Sequence, residues 1–312
     1  MYIITGQTAT GKTSYAQELA SKYNGEIINC DSRQIYKELN IITGKDIPHQ
    51  SKYTLLDKKN NFDIGYYNLT LRNNDKTKVW LYDIVNPHTY FSSYDYVQNA
   101  TYVINRVQKE NKIPIFVGGT YFYIRHLLYG VDTEAIRPDF KLRKELTKYS
   151  LEKLQSKLKA IAPHIFEQLN NSDSHNPRRL IRKIEIEIGS HRHPAGVSKA
   201  GLDTHGVFAQ ENKITGFRFS SKDSLIKHIQ ERVEKRLRQG AIEEVQMLLE
   251  LGYNEKDPGL KTIGYTSIIK YLKNEITKEN AITEWITKEI QYAKRQLTFM
   301  KTDPHIEWKE IQ

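Results

Sequence analysis

The sequence predicts an α/β fold: a parallel sheet flanked by helices, with a mostly helical insertion and further helices towards the C-terminus. Three observations predict it. Short apolar runs alternate with helical patterns over the first 130 residues, and strands separated by helix-length crossovers pair in parallel. Four of those runs end in glycine-rich or acidic turns, GQTATGKT, CDSRQ, the YD of VWLYD and VGGT, where parallel sheets gather their ligands. From about Val131 to His205 the character changes to charged helices. The expected division is residues 1–130 with 206–312 for the sheet-bearing core, and 131–205 for the insertion.

Tyr2–Thr5 is a buried strand candidate that runs into the glycine-rich turn Gly6–Thr13 and a helix over Ser14–Lys22. EIINC (26–30) is the second strand, and a helix is expected to follow it from Asp31. Residues 63–82 alternate apolar and polar about Asn73-Asn74-Asp75, the pattern of a hairpin whose turn needs positive φ. VWLYDIV (79–85), a helix over Tyr94–Gln108 and IPIFVGG (113–119) complete the first section. The insertion carries RPDFKLRKEL, LEKLQSKLKAIAPHIFEQL and NPRRLIRKIEIEI, then an exposed basic loop, HRHPAGVSKAGLDTHG. Everything beyond is expected to be helical. Ile226, Ile229, Val233 and Leu237 recur at helical spacing, as do Ile282, Trp285 and Ile286 with Ala293 and Leu297 beyond, and both stripes are expected to be core.

Charge and cysteine content narrow the function classes. A formal net charge of +10 and a pI near 9.3 favour a polyanionic partner, or mark general solubility on a basic background. The single cysteine, Cys30, excludes an intrachain disulfide and a cysteine-rich zinc site, and it is read as a core residue at a strand end. A first strand at Tyr2 leaves no room for a signal peptide, and no apolar run approaches the roughly 20 residues that span a bilayer. A soluble, cytoplasmic protein without membrane contact is expected.

Gly6, Gly11, Lys12 and Thr13 meet the pattern G-x-x-x-x-G-K-[ST] between a strand and a helix, so the sheet is of the P-loop type. Such a loop (Gly6, Gln7, Thr8, Ala9, Thr10, Gly11, Lys12, Thr13) turns backbone N–H groups and a helix N-terminus towards phosphate. Lys12 would neutralise the outer phosphates, and the Thr13 hydroxyl would ligate Mg²⁺. Nothing in the loop says whether the phosphate belongs to ATP. Asp31 or Ser32 either caps the next helix or, in the case of Asp31, serves as a general base or metal contact. Asp83 ends an apolar strand as the Mg²⁺-linked aspartate of nucleotide hydrolases does, though any strand-terminal aspartate looks the same. Gly118-Gly119-Thr120 permits a close backbone approach with a hydroxyl at its tip, and a tight turn alone also accounts for it. Arg178, Arg182 and Glu185 suit either an RNA contact or a solvated face with helical-spacing pairs.

Taken in order, GQTATGKT, CDSRQIYKELNIITGK, WLYDIVNP, VGGTYFYIRHLLYG, NPRRLIRKIEI, IGYTSIIKYL and YAKRQLTFMK closely resemble the motifs of the bacterial tRNA dimethylallyltransferases, the tRNA isopentenyltransferase family. The resemblance runs from Tyr2 to about Lys301. It implies transfer of a dimethylallyl group from dimethylallyl pyrophosphate to the exocyclic amine of the adenine immediately 3′ of the tRNA anticodon. By this resemblance the glycine loop grips the donor's pyrophosphate, with Lys12, Thr13 and Mg²⁺ assisting its departure. Asp31 matches the family's general base, and Thr120 matches a threonine that meets the reacting adenosine. Asp31, Ser32, Arg33, Gln34, Thr120, Arg143, the run Arg178, Arg179, Leu180, Ile181 and Arg182, and the turn Thr262-Ile263-Gly264-Tyr265 match tRNA-contacting segments. The implied partners are the tRNA anticodon arm and the prenyl donor, with the chain acting as a monomer.

Several positions depart from the family pattern. Gln7 and Thr10 stand where the family usually has Pro and Ser, and little effect is expected because neither is defined by the phosphate-loop pattern. Ile42-Thr43-Gly44-Lys45 replaces a Gly-Thr-Ala-Lys run. The hairpin around Asn73 lengthens a stretch that is short in better-known members, and the zinc finger of eukaryotic relatives is excluded by the cysteine count. Lys294 and Arg295 reach the site, contact tRNA or merely cover a helix face. The competing reading is a P-loop kinase or other ATP-dependent phosphotransferase, which explains the glycine loop and Asp83 but not the later basic helices.

Overall fold

The computed structural model describes residues 1–48, 51–59, 61–71, 74–130, 138–192 and 212–312. Among these, one eight-stranded sheet is built from β1 (Tyr2–Gly6), β2 (Gly25–Asn29), β3 (Tyr53–Lys59), β4 (Phe62–Thr70), β5 (Lys76–Trp80), β6 (Ile113–Val117), β7 (Lys213–Phe219) and β8 (Ile306–Ile311). The strand order is β3-β4-β5-β2-β6-β1-β7-β8. From β5 to β8 the neighbours pair in parallel, while β4 and β3 extend the β5 edge antiparallel. Parallel strands covered on both faces read as continuous apolar runs. That is why Ile3, Ile4, Ile27, Ile28, Ile115 and Phe116 are all buried.

Helices α1 (Lys12–Tyr23), α2 (Ser93–Lys109) and α3 (Tyr121–Tyr129) belong to the first half of the chain. Helix α1 starts earlier than the expected Ser14 because Gly11, at φ 75°, is its N-cap in the left-handed region that glycine enters without penalty. Ser92 and Asp95 close a capping box at the head of α2, each accepting a hydrogen bond from the other's backbone N–H.

The chain divides into two compact units, Met1–Leu128 with Phe208–Gln312, and Tyr129–Val207. The second contains α4 (Phe140–Leu146), α5 (Leu151–Ile161), α6 (Pro163–Glu167), α7 (Asn171–Ser174) and α8 (Pro177–Arg192). Its core joins Leu146, Leu154, Leu158, Leu180, Ile181 and Ile184. The first unit ends with α9 (Lys222–Arg238), α10 (Ala241–Glu250), α11 (Tyr265–Leu272) and α12 (Lys278–Met300). The expected basic loop begins at the end of α8, and its remainder lies outside the described residues. No helix among the described residues is long and apolar enough to cross a membrane.

Four sequence expectations need correction. The expected hairpin is present as β4 and β5, with Asn74 at φ 66° in its turn and residue 73 outside the described residues, but an unforeseen strand, β3, pairs with it. β3 escapes notice because it lies at the sheet edge and leaves Leu55 49% exposed. No helix follows Asp31: turns occupy residues 32–35, 37–38 and 41–44, held by a bridge between Tyr36 and Val85. The strand expected over 79–85 stops at Trp80, because Leu81 and Asp83 take φ 65° and 55° and the backbone of Ile84 and Val85 donates to Ile35 O. Finally, the C-terminal section is not all helical, since KITGFRF forms β7 against β1 and IEWKEI forms β8 against β7.

Candidate active site

The carboxyl ends of β1, β2 and β6 converge on one cavity of about 370 Å³. The loop residues Thr8–Ser14, Asp31, Gln34, Thr43 and Gly44, and Gly118–Gly119 line it, and α9 and α12 complete the wall. Within the loop, Lys12 Nζ donates to Gln7 O (2.5 Å), and Thr10 Oγ1 donates to the same carbonyl (2.8 Å). Burial, and next the neighbouring charge of Arg232, push the Lys12 pKa down to about 7, against a smaller upward pull from Asp31.

Asp31 lies two residues beyond the end of β2. Its backbone N–H donates to Asn29 Oδ1 (3.1 Å), and its Oδ1 accepts from the backbone N–H of Arg33 (2.9 Å). That is an Asx turn, so the predicted capping role survives in a different form, on a turn instead of a helix. Oδ2 is turned towards Gly119, 3.7 Å from where a Cβ on that glycine would lie. Thr120 Oγ1 accepts from the Ser32 backbone N–H (2.9 Å) and donates to Ser32 Oγ (3.1 Å), fixing the β6 turn to the β2 turn. Gln34 Nε2 donates to Gly44 O (2.7 Å) and Thr43 O (3.2 Å), and Arg33 Nη1 donates to Pro258 O (3.4 Å). Cys30 is buried, which pushes its thiol pKa up, and a neutral thiol is a poor nucleophile.

Asp83 does not line this cavity. It pairs with buried Lys45 and accepts from Tyr67 Oη (2.5 Å), while Lys45 Nζ also donates to Tyr36 O (2.6 Å). The aspartate therefore braces the 36–45 loop, and the nucleotide-hydrolase comparison does not carry over.

Sequence reasoning missed the helical wall. Arg232 of α9 donates to Thr8 Oγ1. Gln296 of α12 accepts from the Thr8 backbone N–H (3.1 Å) and donates to Gly119 O (2.8 Å), tying the glycine loop to the VGGT turn. Gln7, expected to matter little, is buried; its Oε1 accepts from Phe219 N (2.9 Å) and its Nε2 donates to Ala293 O (3.4 Å), so it anchors the loop to β7 and α12. A signal was available: Arg232, Arg236 and Gln239 recur at helical spacing beside the apolar stripe of Ile229 and Val233.

The residues matched to RNA contact fall into three groups. Ser32, Arg33 and Gln34 stand beside the cavity, as above. Thr262 and Tyr265 are buried: Thr262 Oγ1 donates to Gly259 O (2.6 Å) and Tyr265 Oη to Glu244 Oε1 (2.5 Å), so of this turn only Ile263 offers a part-exposed side chain. In the second unit Leu180 and Ile181 are core, because a helix that exposes Arg178 and Arg179 must turn the next two residues inward. Glu185, 2% exposed, accepts from Arg143 Nε (2.8 Å) and Nη2 (2.7 Å), from Arg182 Nη1 (2.5 Å) and from the Asp139 backbone N–H (2.6 Å). Burial alone would raise its pKa, but these donors prevail and hold it below the usual carboxylate range.

Glu244 plays a comparable part in the first unit. At 6% exposure it accepts from the backbone N–H groups of Asn40 (2.8 Å), Ile41 (2.6 Å) and Ile42 (3.2 Å) as well as from Tyr265. Glu244→Ala leaves those donors buried and unmatched, so urea unfolding should show a loss of about 3 kcal/mol.

A family profile described as IPP transferase matches residues 60–303, and one described as isopentenyl transferase matches residues 1–57. The chain belongs to the IPP transferase family. Its relatives include the tRNA dimethylallyltransferase of Endomicrobium trichonymphae, 36% identical over 98% of this chain and 93% of that one. The tRNA dimethylallyltransferase of Hydrogenobaculum sp. is 35% identical over 96% and 91%. Among solved structures, the tRNA isopentenylpyrophosphate transferase of Bacillus halodurans aligns at a TM-score of 0.65 with 27% identity, covering 99% of this chain and 89% of that chain. A eukaryotic dimethylallyltransferase acting on tRNA shares the fold at a TM-score of 0.71 and 23% identity, covering 99% and 73%. The sheet-end cavity of this IPP transferase is thus set in the α/β scaffold that these solved structures share.

Proposed function

We propose that the chain transfers a dimethylallyl group from dimethylallyl pyrophosphate to the exocyclic amine of the adenine immediately 3′ of the anticodon in tRNA. The observation that carries this reading is the presence, in one cavity, of a cationic phosphate cradle and a carboxylate from the next strand end. The names of the full-length relatives support the same reaction.

An adenine amine is a weak nucleophile because its lone pair is delocalised into the ring. As the amine nitrogen bonds to the allylic carbon, the carbon–oxygen bond breaks and its electron pair leaves with pyrophosphate; the amine proton passes to Asp31 Oδ2. Lys12, Arg232 and the N-terminus of α1 stabilise the negative charge where it develops. Thr120 and Ser32 orient the acceptor side. Among the described residues no cluster of His, Cys, Asp or Glu could hold a metal by itself. The donor set suits Mg²⁺ all the same, since that ion commonly takes most of its ligands from substrate phosphates and water, and Thr13 would supply a hydroxyl. When bound, Mg²⁺ supplies charge neutralisation of the pyrophosphate.

The substrate adenine must leave its stack, at a cost of a few kcal/mol. Arg178, Arg179 and Arg182 of the helical insertion are proposed to grip the anticodon arm and offset that cost, with Arg143 alongside on Glu185. The enzyme is proposed to work as a monomer, in the cytoplasm where its tRNA substrate is.

The test mixes the protein with dimethylallyl pyrophosphate, Mg²⁺ and an unmodified anticodon stem-loop. Mass spectrometry should find one prenyl unit on the adenine beside the anticodon. Phosphate transfer or steady hydrolysis from γ-labelled ATP, with no prenyl addition, would sink the reading in favour of a phosphotransferase.

A further inference from the structure

Arg236 stands out among the cavity residues because, among the described residues, no ion pair holds its guanidinium. It is 7% exposed, and its Nε is buried without a hydrogen-bond partner. The charges acting on it begin with the like charge of Arg232; the opposite charges of Asp46 and Glu289 come after. Burial pulls its pKa down to about 10, so it stays cationic at neutral pH. Glu289 meanwhile accepts from Trp285 Nε1 (3.3 Å).

Its guanidinium is fitted to the cavity wall with some care. It lies against Gly44, where a Cβ would come within 1.9 Å of Nη2 and 2.7 Å of Nη1. Any other residue at 44 would push the group away, and the loop is fixed there by Gln34 and by Gly44 N donating to Asn40 O (3.0 Å). Four residues earlier, on the same face of α9, Arg232 reaches Thr8 of the phosphate loop. Both arginines line the cavity with that loop. A buried cation left unpaired is costly, and a structural arginine in such a place ordinarily has its carboxylate. A guanidinium is, however, shaped to bind phosphate oxygens in pairs.

We propose that Arg236 is a diphosphate-binding residue which, with Arg232, grips the donor's leaving group from α9. The inference rests on the prenyl-transfer reading, and it assigns to Arg236 a contact made with the donor and kept as pyrophosphate departs.

Calorimetric titration of inorganic pyrophosphate into wild type, Arg236→Met and Arg236→Lys tests it, together with thermal melts and a wild-type prenyl-transfer assay. Arg236→Met should weaken pyrophosphate about ten- to a hundredfold, the range for a charge-assisted hydrogen bond. Arg236→Lys should recover part of that loss by keeping the charge. The ligand-free melting temperature of Arg236→Met should stay level or rise, because an unpaired buried charge has been removed. Pyrophosphate affinity within twofold of wild type in both variants overturns the inference. So does a lowered ligand-free melting temperature with unchanged pyrophosphate binding, which would mark the arginine as structural. If Arg236→Met does not fold, an unaltered affinity in Arg236→Lys together with an unaltered KM for the donor overturns it. Should wild type bind pyrophosphate through Arg236 yet transfer no prenyl group to RNA, the reaction reading fails while the anion contact stands.

Discussion

Asp31→Asn should lower the transfer rate constant by about a hundred- to ten-thousandfold, the span that a positioned general base contributes. The substitution is chosen for what it keeps. Asparagine retains an Oδ1 that can accept from the Arg33 backbone N–H, so the Asx turn at the end of β2 survives. Neither the Thr120–Ser32 contacts nor the Gln296 bridge between the two turns involves the carboxylate. What is lost is the proton acceptor facing Gly119. Donor affinity should therefore change little, within about threefold. The lost anion no longer repels pyrophosphate, which favours binding. It also no longer helps to keep Lys12 protonated, which opposes it. Single-turnover kinetics and donor titration separate the two effects, and a near-normal rate would mean that the amine proton goes elsewhere.

The parts of this site that a linear reading could reach are those whose chemistry is local. Gly6–Thr13 announces itself because a phosphate loop needs its glycines, lysine and hydroxyl at fixed spacing within one turn. Asp31 and Thr120 could be singled out because they end apolar runs, and in a parallel sheet such ends share a side. Gln296 carries no such local pattern, and the helical spacing of Arg232 and Arg236 does not by itself say which cavity they face. Each comes from a helix more than 200 residues away from the loop, and each sits among apolar positions that already have a sufficient explanation as core. The same blindness works in reverse at Leu180 and Ile181, which a run of contact-matched residues swept in although helical geometry turns them inward. Edge strands were lost for a different reason. β3 buries little, so it carries no periodic signal, and β7 was hidden by the expectation that a helical section continues. Gln7 shows that a position left free by a motif can still be fixed by the fold around it, here through β7 and α12.

Lys12→Met should lower kcat/KM for the donor by about a hundred- to a thousandfold, as removal of one charge-stabilising donor does in other sites. Its pH behaviour gives the sharper test. With the Lys12 pKa pushed down to about 7, the unliganded side chain is cationic below that pH and increasingly neutral above it. Only the cation attracts pyrophosphate, so binding above pH 7 must take up a proton. Each further pH unit then removes up to about tenfold in affinity from the lysine's contribution, until the pKa of the complex is reached. Pyrophosphate itself gains charge over the same range and pulls the other way, so wild type alone cannot isolate the effect. Lys12→Arg, cationic throughout, and Lys12→Met, never cationic, both carry the ligand's titration without the lysine's. Between pH 7 and 9 the wild-type affinity should fall relative to both. Calorimetry in two buffers of different ionisation enthalpy should show proton uptake near pH 8 that is larger in wild type than in either variant. Parallel pH profiles for all three proteins would show that Lys12 is already fully charged before the donor arrives. Its loss from Lys12→Met should leave the melting temperature level or higher, because burial opposes the charged form in the folded state. The group that costs stability in the ligand-free fold is then the one that the departing pyrophosphate needs.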